Sequence, residues 1–219
     1  MTGRLSALQE RVLVALAAGV TEPWVLTGGA ALGGFYTMHR STRDLDITPT
    51  DRCDLGALPG AALRCLQQDG LRVEAHRLSR QHWQLDVADG AESIVVELVA
   101  GWAPAAESPR TVVLQGREIL VESSHELLVR KLTAAFERSE PRDVDDIRAL
   151  LRGGGDLRRA VADAGRAFSG LTAATLAGTL RTLPLTRLAR VAGWPDQKVA
   201  EMTAFRDELV RALVPEDDD

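Results

Sequence analysis

The sequence predicts an α+β (mixed α/β) protein: an N-terminal mixed sheet with flanking helices over residues 1–122, then a helical region over 123–219. Two observations carry this. Short strand-like runs fill the first half: WVLT at 24–27, LDIT at 45–48, RVEAHRL at 72–78, HWQLDV at 82–87 and SIVVELVA at 93–100. Beyond Ser123 the pattern changes to longer runs of helical period, with no further strand. The chain has 219 residues, 45% of them hydrophobic, enough for one medium domain or two small ones.

Each element has a local reason. Residues 5–19 place Leu8, Val12, Leu13 and Leu16 on one helical face, and Pro23 closes that region. After the strand at 24–27, Gly28 and Gly29 turn the chain into a helix predicted at 30–39, which puts His39 at its C-terminal end as a cation facing the helix dipole. GALPGAALRCLQQDG reads as a helix over 56–70, and TVVLQGREILVES as a hairpin over 111–123 around Gln115-Gly116. Ser123 and Glu126 form a capping-box pattern for a helix through about Arg138. Pro141 opens the next helix and Gly153-Gly154-Gly155 stops it. Helical segments continue at 156–168, 172–183, 185–193 and 195–214.

Composition excludes several classes. No apolar stretch reaches membrane-spanning length. The apolar N-terminus is interrupted by Glu10 and Arg11 and has no A-x-A site, so it reads as an amphipathic helix, and a cytoplasmic location is expected. Cys53 and Cys65 form no C-x-x-C pair, which argues against structural zinc. The net charge is −5, mostly from the terminal EDDD, so nonspecific duplex binding is not favoured. Arg138, Arg148, Arg152, Arg158, Arg159 and Arg166 nevertheless gather in the helical region, the first place to look for an RNA backbone. Lysine occurs only at 131 and 198 in a chain that otherwise uses arginine.

Asp44 and Asp46 raise the chemical question. On a strand, residues i and i+2 share a face, so the two carboxylates stand roughly 7 Å apart while Leu45 and Ile47 face a core. Paired carboxylates withdrawn from water repel unless a cation sits between them, and hard oxygen ligands suit Mg²⁺ or Mn²⁺. Mg²⁺ takes one or two carboxylates and completes its shell with water and phosphates, so the pattern anticipates a nucleotide. The glycine pair between strand and helix lets backbone N–H groups approach phosphate, and Thr27 offers a hydroxyl. Glu97, inside the apolar IVVELVA, is the preferred third acid, for metal binding or for deprotonating an attacking hydroxyl; Asp86 is its rival. Arg40 and Arg43 flank the acidic strand and could meet a triphosphate or pair with Asp44. His76, His82 and His125 form no ligand spacing.

With these residues in view, the chain resembles the AbiEii-like nucleotidyltransferases of the DNA-polymerase-β-like superfamily. The first motif reads Gly28-Gly29, then His39-Arg40-Ser41-Thr42-Arg43-Asp44-Leu45-Asp46, with Thr42 where a serine or threonine is expected. The second reads Lys131-Leu132-Thr133-Ala134, then Arg142-Asp143-Val144-Asp145-Asp146. The resemblance spans about residues 24–152. It implies a metal-dependent nucleotidyltransferase, a toxin with a cognate antitoxin partner, and activity like that of mycobacterial relatives that transfer nucleotides onto tRNA acceptor ends. Alternatives are nucleotide transfer to a protein hydroxyl, or a non-catalytic binding module of the same fold. In this reading Lys131 neutralises the triphosphate, and Asp146 orients Lys131 or contacts base or ribose. Arg142 holds a phosphate or pairs with a carboxylate. Asp143 is explained as a helix N-terminal acid stabilised by the dipole.

Overall fold

A computed structural model describes residues 5–51, 53–101, 105–138 and 140–214. The chain divides into two compact units, Met1–Ser123 and Ser124–Asp219.

The first unit contains helices α1 (Ala7–Gly19), α2 (Gly28–Phe35) and α3 (Leu58–Gln68). Its strands are β1 (Trp24–Thr27), β2 (Asp44–Pro49), β3 (Arg72–Arg77), β4 (His82–Asp89), β5 (Glu92–Val99), β6 (Arg110–Leu114) and β7 (Arg117–Val121). They form one mixed sheet in the order β3-β4-β5-β2-β1-β7-β6. β2 runs antiparallel to β1 and parallel to β5, and β1 runs parallel to β7. The remaining neighbours are antiparallel.

Strand alternation divides the sheet into two chemically different faces. Register brings Leu26, Ile47 and Leu98 to one face, with Leu45, Leu85 and Val96 beside them, and all are buried. Helices α1 and α3 pack together there, burying Val12, Leu13, Leu16, Ala62 and Leu66. The other face carries Thr27, Asp44, Asp46, Glu97, His82, Gln84 and Asp86.

Local chemistry sets the boundaries. Ser6 and Gln9 cap α1 reciprocally: each side chain bonds the other's backbone, with Gln9 N–H to Ser6 Oγ at 3.1 Å and Ser6 N–H to Gln9 Oε1 at 2.8 Å. Gln115 and Gly116, at φ 48° and 78°, make the two-residue turn of the β6–β7 hairpin. Helix α2 differs from expectation: it starts at Gly28, two residues early, and ends at Phe35. His39 therefore lies four residues beyond its end and does not face the helix dipole; its Nδ1 is 2.6 Å from Thr37 Oγ1. Tyr36 breaks the helix, its hydroxyl donating to the Glu122 carbonyl at 2.6 Å while Arg110 stacks on its ring at 4.1 Å.

The second unit is helical: α4 (Ser124–Glu137), α5 (Pro141–Arg152), α6 (Leu157–Ala167), α7 (Ala173–Thr182), α8 (Leu185–Val191) and α9 (Asp196–Leu213). Helix α4 packs against α5, α6 and α7, and α9 against α7 and α8. Leu127, Leu128, Leu132, Ile147, Leu176, Leu180 and Met202 form the core. A polar cluster lies within it. His125 Nε2 is 2.8 Å from Asp163 Oδ2, both largely buried, and Arg166 and Arg159 approach the same carboxylate.

The hydrogen bond to His125 holds the Asp163 carboxyl below the usual carboxylate range, aided by the two arginines. A depressed folded-state value contributes stability above the unfolded carboxylate pKa of about 3.9 and loses it as pH falls through the folded value. Asp163→Asn is therefore expected to cost about 1–3 kcal/mol at pH 7. The difference, measured as a urea midpoint, should shrink progressively below about pH 4. A difference as large at pH 2.5 as at pH 7 contradicts this account.

Candidate active site

The site begins where β1 meets α2. Gly28 adopts φ +66°, and a Cβ built there would fall on the Asp46 side chain, 2.9 Å from its Cβ and closer still to the carboxylate. The start of the helix thus rests directly on Asp46, an approach that only glycine permits. A Cβ at Gly29 would lie 3.1 Å from the Arg40 guanidinium and 3.5 Å from Thr42 Oγ1. Arg40 and Thr42 therefore return over the first turn of α2, bringing the first-motif residues together. Thr42 is fixed on both sides: its carbonyl accepts from Gln9 Nε2 at 3.0 Å and its hydroxyl accepts the Asp44 N–H at 3.3 Å. Arg43 is exposed, and its carbonyl accepts the Val95 N–H.

Register places the acids. Asp46 lies opposite Thr27 on one side and beside Glu97 on the other, while Asp44 lies beside Val95. Asp44, Asp46 and Glu97 are partly exposed on the same polar face. Asp86, the rival third acid, lies one strand further away, opposite Val95 on β5. It is engaged by His76 Nε2 at 3.1 Å and Gln84 Nε2 at 2.7 Å. Glu97 is therefore the immediate neighbour of Asp46. Its carboxylate makes a short contact with His82 Nε2.

Two contributors had no signal in the motif. Glu122 is fully buried at the end of β7 and accepts the Thr27 hydroxyl proton. Thr27 is thereby tied to the sheet next to the glycine turn. Glu122 sits in sequence at the end of the predicted hairpin, just before the helix cap, where an acid reads as a terminus. His82 opens a strand and belongs to no motif; the register with β5 alone gives it Glu97. Among the described residues no group of three or more His, Cys, Asp or Glu is arranged as a metal site. The donor set still suits a hard divalent cation of the Mg²⁺ or Mn²⁺ kind. Two same-face carboxylates are as many protein ligands as Mg²⁺ ordinarily takes.

In the helical unit the second motif forms a buried ionic cluster. Lys131 Nζ lies 3.1 Å from Asp143 Oδ1 and 2.7 Å from Asp146 Oδ2, with both aspartates fully buried. Arg138 forks onto Asp143, Nε to Oδ2 at 2.9 Å and Nη2 to Oδ1 at 2.9 Å. Asp143 lies in the first turn of α5, as expected, and is in addition a buried ion-pair partner. Asp145 accepts from Lys198 at 2.6 Å, and the Lys198 ammonium also stands over Trp194. Both lysines of the chain serve acids of α5. Arg142 remains half-exposed and pairs with Glu140 at 2.5 Å.

Comparison with known proteins agrees with the motif. Residues 11–218 match the family of the nucleotidyl transferase AbiEii toxin of type IV toxin–antitoxin systems. A crystal structure from H. pylori described as a nucleotidyltransferase superposes with a TM-score of 0.55 at 17% identity, covering 95% of this chain and 97% of that one. JHP933 from Helicobacter pylori gives 0.53 at 18% identity, covering 94% and 90%. These two share the fold. No functionally curated protein matches the sequence. A match over nearly the whole chain means that this chain belongs to the AbiEii nucleotidyltransferase toxin family and is a nucleotidyl-transfer enzyme.

Proposed function

We propose that the protein transfers a nucleoside monophosphate from an NTP to an acceptor hydroxyl, at the 3′ end of a tRNA, as the cytoplasmic toxin of a pair with a cognate antitoxin. The observation that carries this is the packing of Gly28 on Asp46, which puts a phosphate-accepting helix start against a paired carboxylate. Asp44 and Asp46 would hold Mg²⁺ or Mn²⁺, which when bound neutralises phosphate charge. The backbone N–H groups at Gly28 and Gly29 bind the triphosphate, with Arg40, Thr42 and Arg43 around them, and Thr27 anchors the turn through Glu122. The acceptor oxygen attacks the α-phosphorus as its proton passes to Glu97. An O–P bond forms, the α–β bridging P–O bond breaks, and pyrophosphate departs. His82 holds the Glu97 carboxylate in place beside Asp46. Lys131, kept in position by Asp146, and Arg142 are the residues of the helical unit assigned to the triphosphate.

Three outcomes test this. Asp46→Asn should retain wild-type thermal stability and lose transfer of label from α-³²P NTPs to total RNA. The loss should exceed the roughly 100-fold that even the outer partners of a metal ligand can cost. EDTA should do the same to the wild type. Label arriving on protein and not on RNA would replace the acceptor in this reading, and unchanged transfer by the variant would remove the acids from it.

Gly28→Ala should lower stability by about 1–3 kcal/mol through its positive φ and displace Asp46, so that transfer falls further than stability explains. Gly178→Ala is the matched control: a Cβ at 178 meets nothing within 4 Å. That change is expected to be neutral or stabilising by about 1 kcal/mol.

Lys131→Ala leaves two fully buried carboxylates with Arg138 and should cost about 3–5 kcal/mol in chemical denaturation. Lys131→Arg retains the charge. If Lys131 also meets the triphosphate, that variant will fold but show a raised KM for NTP, whereas an unchanged KM confines Lys131 to folding.

A further inference from the structure

The sheet unit contains a second polar feature on the opposite side from the carboxylates. A cavity of about 900 Å³ opens between the start of α3 and the β3–β4 turn. That is the upper end of the roughly 300–1,000 Å³ typical of ligand sites. Arg64 of α3, Arg77 of β3 and Arg80 of the turn line it, with Gln81, Trp83 and Asp54. Asp54 is occupied locally, its Oδ1 accepting the Gly56 N–H at 2.6 Å. Arg77 donates to the Ser79 carbonyl at 3.3 Å. Among the described residues no carboxylate lies within ion-pair reach of Arg64, Arg77 or Arg80, whereas Arg11, Arg138, Arg142 and Arg148 each hold an acid. Three like charges around one concavity are stabilised by an anion bound among them.

We propose that this cavity binds the phosphodiester backbone of single-stranded RNA, with a base stacked on Trp83. Guanidinium groups from three separate elements suit a succession of phosphates rather than one, and an indole offers a stacking surface that tolerates any base. Strand β4 supplies the path to the chemistry. Its first residue, His82, faces Glu97; the next, Trp83, faces the cavity. An RNA strand held at Trp83 and Arg80 and passing over the β3–β4 turn reaches the carboxylate face within a few residues of β4. This deepens the acceptor assignment above and rests on it for its biological meaning, but the binding itself is measured separately.

The experiment is fluorescence anisotropy of the full chain with a 5′-fluorescein 12-nucleotide oligouridylate in 50 mM salt. Arg64→Glu with Arg80→Glu should weaken binding at least tenfold. It should also reduce the slope of log K against log salt by about 1.4, which is about 0.7 for each phosphate no longer neutralised. Trp83→Leu should weaken binding without changing that slope, and Arg181→Glu, an exposed arginine of α7, should change it less than twofold. Arg64→Gln with Arg80→Gln, a milder pair, should fall between wild type and the charge reversal and secures the result if the reversal perturbs folding by circular dichroism. Unchanged affinity in both pairs, equal weakening by Arg181→Glu, or displacement of the RNA by polyglutamate at equal charge would overturn the proposal. Asp46→Asn separates it from the catalytic reading: that variant should bind the oligonucleotide like wild type, so absence of transfer leaves the binding result intact.

Discussion

The site depends on one close approach, that of a helix start to a strand. Gly28 stands where a Cβ would occupy the space of the Asp46 side chain, in a conformation that L side chains rarely adopt. The consequences extend in both directions along the chain. Upstream, β1 must end at Thr27, and the buried Glu122 secures that residue from the neighbouring strand. Downstream, α2 must turn sharply and end early, so that Arg40 and Thr42 can return over Gly29. Tyr36 and Arg110 hold the point at which it ends. Glycine is required at 28 for geometry before any ligand is considered.

The sheet sets the electrostatics by separating its faces. Leucine, isoleucine and valine cover α1 and α3 on one side, so every alternate side chain of β2, β4 and β5 projects to the other. A run of acids on that face would repel without compensation. Histidines contact the outer members, His76 on Asp86 and His82 on Glu97, and Asp46 packs under the glycine turn. The face remains partly solvated, which limits the cost of keeping the carboxylates charged.

The helical unit solves a different problem. Asp143, Asp145 and Asp146 are all buried on α5, and each has a cation: Arg138 and Lys131, Lys198, and Lys131 respectively. Removing one member of such a cluster costs more than the pair contributes, because the remaining charge stays in a dry environment. The R-D-x-x-D pattern is therefore a folding constraint in this protein whatever further role it has. It also explains why a chain dominated by arginine keeps its two lysines there. The Lys131 ammonium is compact enough to reach two carboxylates one turn apart on the neighbouring helix α5.

Much of this was legible from residue order alone. Alternation in LDIT and a lone acid inside the apolar IVVELVA marked strands that carry carboxylates, and the G-G turn, the D-x-D pair and the spaced lysine carried the resemblance to the nucleotidyltransferases. Those features are local, and local sterics and solvation determine them. Long-range pairing decided the rest. Only the β2–β5 register makes Glu97 and not Asp86 the neighbour of Asp46, since both acids sit equally well in an alternating strand. Only packing gave Asp143, a first-turn acid of α5, its buried ion-pair partners, and only the early end of α2 removed His39 from the helix dipole. Residue order determined which side chains lie on which face of each element; tertiary structure decided which faces and carboxylates meet, because that choice depends on contacts between residues far apart in the chain.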